Sequence, residues 1–353
     1  MSWKYWLLAL IPASLLLEFF HASPLLVFFV ACFAIVPLAE WMRHATEELS
    51  LHAGSAIGGL LNVTFGNSAE LILALFVLKT GRTDVVKATI TGAIIGNSLI
   101  GLGLSVVIGS WRREKQTFNR DQAGLLGSLL ILSVIALMIP ALFDYTERGL
   151  NAARTGVLDE RLSLGVSIVL ILVYFANLLF TLVSHRDVFS PGEAGHPPEW
   201  SMRRSILVLL LATIGVLFEA ELVSNALEAT ASGLQLTPFF LGIVILPFIG
   251  NAAEYFSAIY FARKDQMSLV MTIAIGSSIQ VALFTAPVLV LVSFAMGHPM
   301  NLVFTNPLEL IAIAGVAFAV NSIALDGETT WFEGVLLIAV YLLLALAFFF
   351  VTV

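Results

Sequence analysis

The sequence predicts an all-α polytopic membrane protein of eleven transmembrane helices: one extra N-terminal helix, then two inverted five-helix repeats. Three observations carry this. The 353 residues are 59% hydrophobic and 12% charged, more apolar matter than a water-soluble fold of this size can hide in a core. Apolar runs of about 20 residues, the length that crosses ~30 Å of hydrocarbon as a helix, recur along the whole chain. Finally, Gly66-Asn67-Ser68-Ala69-Glu70 returns as Gly250-Asn251-Ala252-Ala253-Glu254, each copy inside such a run.

The runs cover 5–20, 24–42, 55–78, 85–109, 123–143, 162–184, 205–225, 237–261, 268–296, 307–325 and 331–353. The first follows a short basic start, as a signal peptide would, but no small-residue cleavage site precedes the second, so it is read as a retained helix. With a cytoplasmic N-terminus, the cytoplasmic loops hold Lys4, Arg43, Arg112, Arg113, Lys115, Arg120, Arg186, Arg203, Arg204, Arg263 and Lys264. The opposite side holds Lys79, Arg82, Lys87, Arg148, Arg154 and Arg161. That excess places the N-terminus inside and, with an odd number of spans, the C-terminus outside.

The longest breaker-rich connection, residues 185–204, carries Pro191, Gly192, Pro197 and Pro198 and the acids Asp187, Glu193 and Glu199. It divides the chain into an extra first helix (1–23), repeat 1 (24–184), a cytoplasmic linker (185–204) and repeat 2 (205–353). Gly58, Gly66, Asn67, Ala69, Glu70 and Ala74 match Gly242, Gly250, Asn251, Ala253, Glu254 and Ala258 at an offset of 184. Ala39-Glu40 matches Ala220-Glu221 at 181, and Ile95-Gly96-Asn97-Ser98 matches Ile275-Gly276-Ser277-Ser278 at 180. Five spans per repeat is odd, so equivalent helices run in opposite directions. Secondary transporters built this way hold their substrate near the midplane, between the repeats.

A charged side chain at mid-membrane is costly, at least ~2.5 kcal/mol on insertion scales. Two carboxylates at matched depth, Glu70 and Glu254, either hold protons or neutralise a cation between them. A site able to do both is a metal/proton exchanger. Asn67 and Asn251, three positions earlier, lie on the same helix faces and offer amide oxygens. Gly66 and Gly250, with Gly96 and Gly276, leave room for helix approach or helix breaks, and Pro247 adds another break. Asn97, Ser98, Ser277, Ser278 and Gln280 are oxygen-bearing groups at mid-depth, though serines in spanning helices commonly bond their own backbone instead. This all-oxygen set suits a hard cation such as Ca²⁺; Zn²⁺ or copper would call for His or Cys, and the single cysteine, Cys32, stands alone. Glu40, Glu219 and Glu221 are read as lying near the ends of their spans, where they reach water or line a cation path. Glu18 in the first span has no explanation.

On these residues the chain resembles the Ca²⁺/H⁺ antiporter (CAX) family of the cation/Ca²⁺ exchanger (CaCA) superfamily. The resemblance rests on eleven spans, inverted five-helix repeats after a first helix, and Gly-Asn-x-x-Glu in the third and eighth spans. It implies that Glu70 and Glu254 alternately bind Ca²⁺ and protons, that Asn67 and Asn251 assist, and that Asn97, Ser98, Ser277, Ser278 and Gln280 complete the site. No resident cofactor is implied: Ca²⁺ is the transported substrate and H⁺ the counter-ion. The Gly-Thr-Ser-x-Pro repeat of the related Na⁺/Ca²⁺ exchangers is absent, which favours protons over Na⁺. The linker departs from the family's often acidic helix. A Na⁺-coupled or Mn²⁺ exchanger is the alternative, and a cation channel a more distant one. An enzyme is not expected, since Gly-x-Gly-Asp, His-Glu-x-x-His and Gly-x-Ser-x-Gly are all missing. No basic run suggests nucleic acid. The compact chain without a targeting extension suggests a prokaryotic plasma membrane.

Overall fold

The computed structural model describes residues 7–53, 58, 61, 64–181, 198–304 and 306–351. In chain order the helices are α1 (Leu10–Phe19), α2 (Pro24–Ala53), α3 (Ser68–Lys79), α4 (Thr83–Ser110), α5 (Arg120–Arg148), α6 (Thr155–Leu179), α7 (Met202–Leu234), α8 (Pro238–Gly250), α9 (Ala252–Arg263), α10 (Met267–Ala295), α11 (Pro307–Asp326) and α12 (Trp331–Phe349). Among the described residues eight of these are long and apolar enough to cross a membrane, and α8 with α9 forms an apolar pair of the same kind bent by 51°. α1 and α3 are shorter; residues 1–6 ahead of α1, and most of 54–63 ahead of α3, lie outside the described set. So does the greater part of the linker, 182–197.

Local chemistry sets the helix ends. Asn119, Ser201 and Thr237 begin α5, α7 and α8 by accepting the backbone N–H three residues on. Asn306 with Glu309, and Thr330 with Glu333, form capping boxes at α11 and α12. Gly327 ends α11 at φ 75°, a left-handed turn that glycine adopts without strain. Helical hydrogen bonding continues from α5 into α6, yet the Asp144 and Asp159 side chains lie close enough to interact. A straight helix would hold residues fifteen apart roughly 22 Å from one another, so the chain doubles back between them.

α2 and α7, the first helices of the two halves, pack along each other, while α4 is enclosed by α8, α9 and α12. Two glycines let α4 and α8 touch backbone to backbone. A Cβ on Gly92 would strike the Ile243 carbonyl oxygen, and one on Gly242 would lie 2.9 Å from the Val85 carbonyl oxygen. A two-stranded ladder, Gln116–Thr117 against Glu328–Thr329, ties the loop after α4 to the turn between α11 and α12.

One boundary differs instructively from the hydropathy reading. The second run ends at residue 42, but α2 continues to Ala53, so Arg43 is a helix residue and Glu40 lies mid-helix. Likewise Glu219 and Glu221 fall well inside α7. Protein contacts, not lipid, cover the extra turns. Glu48, 5% exposed, accepts the Trp200 backbone N–H at 2.9 Å, His52 meets the Trp200 carbonyl, and Trp41 stacks on the Trp200 ring.

Candidate functional site

The two copies of the motif break the backbone in the same way. Asn67 (φ −106°, ψ 24°) and Asn251 (φ −100°, ψ 10°) both sit in the sparsely allowed bridge region, as the residues before α3 and α9. Each break puts its glutamate, Glu70 or Glu254, in the first turn of a new helix. There the unpaired N–H groups and the positive end of the helix dipole favour negative charge. The site therefore supplies part of the stabilisation that hydrocarbon denies a carboxylate. Glu70 is 3% exposed and Glu254 8%, and the two lie close enough for their charges to interact.

α4 and α10 pass beside these breaks, and each is interrupted by a π-helical segment, Gly96–Gly101 in α4 and Val281–Thr285 in α10. Such segments often mark functional sites. The first carries Asn97 and Ser98. Asn97 Nδ2 donates to Asn251 Oδ1 at 3.0 Å, and Asn251 Nδ2 donates to Glu70 Oε1 at 3.0 Å and to the Pro247 carbonyl at 2.9 Å. Asn251, before α9, thus positions the glutamate of α3 and is itself held by α4. Ser98 and Ser278 hydroxyls meet at 2.9 Å, and Ser278 also reaches the carbonyls of Ile94 and Ala274.

The mirror-image arrangement is incomplete, and the sequence offsets say why. Ser277 stands where Asn97 has an amide, and its shorter side chain cannot copy the Asn97–Asn251 contact. Among the described residues Asn67 Nδ2 and Glu254 Oε2 have no hydrogen-bond partner, and neither do Glu70 Oε2, Asn97 Oδ1 and the Tyr255 hydroxyl. Buried polar groups are nearly always paired, yet five of the nine unpaired buried side-chain atoms among the described residues belong to this one place. Three of them are acceptor oxygens, on Glu70, Glu254 and Asn97, which is the donor set a hard cation takes up. Among the described residues no group of three or more His, Cys, Asp or Glu side chains is placed to hold a metal. A cation here would complete its shell from amides, hydroxyls or water.

The remaining sequence-derived residues divide. Gly250 lies against Glu70, whose Cβ and Cγ would be 3.7 Å from an added Cβ. Gly96 is needed for another reason: a Cβ there would come within 2.6 Å of the Tyr255 hydroxyl. Gly276 faces open space, and Gly66 forms part of the turn before α3. Ser277 is buried; Gln280 is partly exposed and engaged in interactions of its own. Glu221 is exposed, and Glu219 turns to α1, where the Ser14 hydroxyl contacts its Oε1 at 2.7 Å. Glu40 alone of the three path acids lies near the centre, acting electrostatically on Glu254 together with Arg43, its partner at 3.2 Å.

Two residues at the site escape the sequence reading. Arg43 reads as a loop charge because hydropathy falls there, although Glu40, Arg43 and Glu47 have the three- and four-residue spacing of a helical ion ladder. Tyr255, 5% exposed, looks like one more aromatic in an apolar run, and only its position after Glu254 hinted at more.

A helix pair bent by 51° at Asn251 and a turn of matching conformation at Asn67, each followed by a helix that carries a buried carboxylate in its first turn, define a membrane transporter of the broken-helix kind. The chain belongs to the sodium/calcium exchanger protein family, which it matches over residues 23–183 and 204–350. It is 42% identical over 360 residues to a Ca(2+)/H(+) antiporter of Aphanothece halophytica, covering 98% of this chain and 95% of that one. The Ca(2+)/H(+) antiporter ChaA of Bacillus subtilis is 41% identical, with 96% of each chain covered. Among solved structures, native YfkE superposes with a TM-score of 0.84 at 36% identity over 99% of this chain and 100% of that one. The H+/Ca2+ exchanger CAX, at TM-score 0.69 and 17% identity over 98% of this chain and 91% of that one, shares the fold.

Proposed function

We propose that this protein exchanges Ca²⁺ for H⁺ across a membrane by alternating access, with Glu70 and Glu254 binding the cation when deprotonated and taking up protons as it leaves. The observation that carries this is the pair of matching backbone breaks, which bring two buried carboxylates from opposite halves to one oxygen-lined place. The names and full-length similarity of the relatives support the choice of ions. Asn251 and Asn97 position Glu70, Asn67 is the counterpart beside Glu254, and Ser98, Ser277, Ser278 and Gln280 line the neighbouring helices. Arg43 and Glu40 set the potential at Glu254.

The same reading divides the chain into eleven spans, an extra first helix and two inverted five-helix repeats. The twin conformations of Asn67 and Asn251 and the two matched stretches 23–183 and 204–350 support that division. The basic loops favour a cytoplasmic N-terminus, and the bacterial relatives favour a plasma membrane. Exchange follows from electrostatics. A site with two bare carboxylates does not reorient through hydrocarbon, because uncompensated charge there is too costly. Loaded with a divalent cation or with two protons, it is neutral and free to move. No covalent chemistry is required, so the protein acts as a carrier rather than an enzyme. The test is ⁴⁵Ca²⁺ uptake by everted vesicles: uptake driven by an imposed pH gradient supports the proposal, and uptake driven only by a Na⁺ gradient overturns its counter-ion.

A further inference from the structure

A second site lies at the ends of α4 and α9, lined by none of the exchange residues. Val107, Ile108, Gly109, Trp111, Arg112, Arg113 and Arg263 line an open groove of about 550 Å³. Its frame is well built. Gly109 has no side chain, and a Cβ there would lie 3.0 Å from both the Cβ and the carbonyl oxygen of Ala262, so α4 and α9 meet closely. Behind them Gln116, 1% exposed, receives the Ser110 hydroxyl at 3.0 Å and donates to the Ala262 carbonyl at 3.1 Å and to Asp265 at 2.9 Å. Arg113 is committed to the same Asp265 at 3.0 Å. Arg112 and Arg263 are exposed and have no carboxylate partner among the described residues.

The position of the groove fixes what can enter it. Trp111, 68% exposed, forms an edge-on pair with Trp331 at 6.2 Å, and exposed tryptophans at helix ends mark the headgroup level of a bilayer. Below that level the lining is apolar, through Val107 and Ile108; at it, two guanidiniums carry uncompensated charge in the planar fork that grips phosphate oxygens. We propose that this groove binds the phosphodiester headgroup of an anionic membrane lipid, with Arg112 and Arg263 on the phosphate and the first acyl carbons along Val107 and Ile108. Basic pockets between spanning helices recognise such headgroups. The inference rests on the membrane placement of the chain and not on its choice of transported ion.

The experiment uses the full chain in detergent micelles, measuring phosphatidylglycerol binding by native mass spectrometry and thermal unfolding with added phosphatidylglycerol or phosphatidylcholine. For the wild type, phosphatidylglycerol is retained and raises the unfolding temperature more than phosphatidylcholine does. A basic residue at an anionic surface contributes about fivefold in binding, so R112Q/R263Q weakens retention by about 25-fold and removes the extra temperature shift. R112K/R263K, which keeps the charges without the forks, recovers part of both. Should the double glutamine variant fail to fold, the single variants R112Q and R263Q each show about a fivefold loss. Equal retention by wild type and glutamine variants overturns the proposal. So does an equal shift produced by inorganic phosphate alone, which would make this a free-anion site.

Discussion

Asn251 and Asn67 occupy equivalent places in the two halves, yet removing their amides should have unequal consequences. Asn251 makes three hydrogen bonds, one of them to a glutamate, whereas the Asn67 Nδ2 makes none among the described residues. A bond to a charged group contributes about 1.5–3 kcal/mol, and an interhelical polar bond in a membrane averages about 0.6 kcal/mol. Asn251→Ala therefore loses about 2–3.5 kcal/mol and leaves Asn97 Nδ2 and Glu70 Oε1 buried without partners. Asn67→Ala loses less than about 0.6 kcal/mol, the value of one such bond. The assay is unfolding of the purified protein in mixed micelles of increasing dodecyl sulfate, without Ca²⁺. Equal destabilisation by the two variants would refute the argument that the Asn97-to-Ser277 difference makes the site asymmetric. Ser277→Asn, which restores the longer side chain opposite Asn67, is expected to stabilise the Asn67 side and leave the Asn251 side unchanged.

Further outcomes follow from other contacts. Gly92→Ala drives a Cβ into the Ile243 carbonyl and should abolish stable expression, while Gly276→Ala, facing open space, should express and unfold as the wild type does; a normal Gly92→Ala protein would show that α4 and α8 are not in backbone contact. Arg43→Gln removes a positive charge that competes for Glu254 and should tighten equilibrium Ca²⁺ binding by up to about fivefold, the range of a partly exposed ion pair; weaker binding would place Arg43 in a supporting role instead. Ser14→Ala strips a buried contact from Glu219 and should cost about 1–3 kcal/mol in the same micelle unfolding assay; an unchanged curve would mean that α1 is held by its apolar face alone.

Much of the architecture is legible in the sequence because hydrocarbon imposes a simple rule: a run of about 20 apolar residues forms a helix. The starts at Pro307 and Trp331, and the two glutamates, follow from that rule together with the duplicated motif. What escapes it lies inside the protein. Hydropathy ends α2 at Met42 because charges follow, but Arg43 is neutralised along its own helix by Glu40 and Glu47, and Glu48 is capped by Trp200, so the helix has no reason to stop. The π segment of α4 leaves no compositional mark; only the fold shows the Tyr255 ring lodged against Gly96 and Gly101 there. The asymmetry between Asn251 and Asn67 was in the sequence all along as Asn97 against Ser277, but only the contact through Asn251 to Glu70 shows that the difference of one amide matters.

The most direct test of the central claim is pH-gradient-driven ⁴⁵Ca²⁺ uptake in everted vesicles carrying wild type, Glu70→Gln or Glu254→Gln protein at matched expression. Glutamine keeps the shape and an oxygen but can neither neutralise the cation nor exchange a proton at neutral pH. The account predicts uptake by the wild type, abolished by the proton uncoupler, and none above background in either variant. Gradient-driven uptake retained by both variants would contradict it.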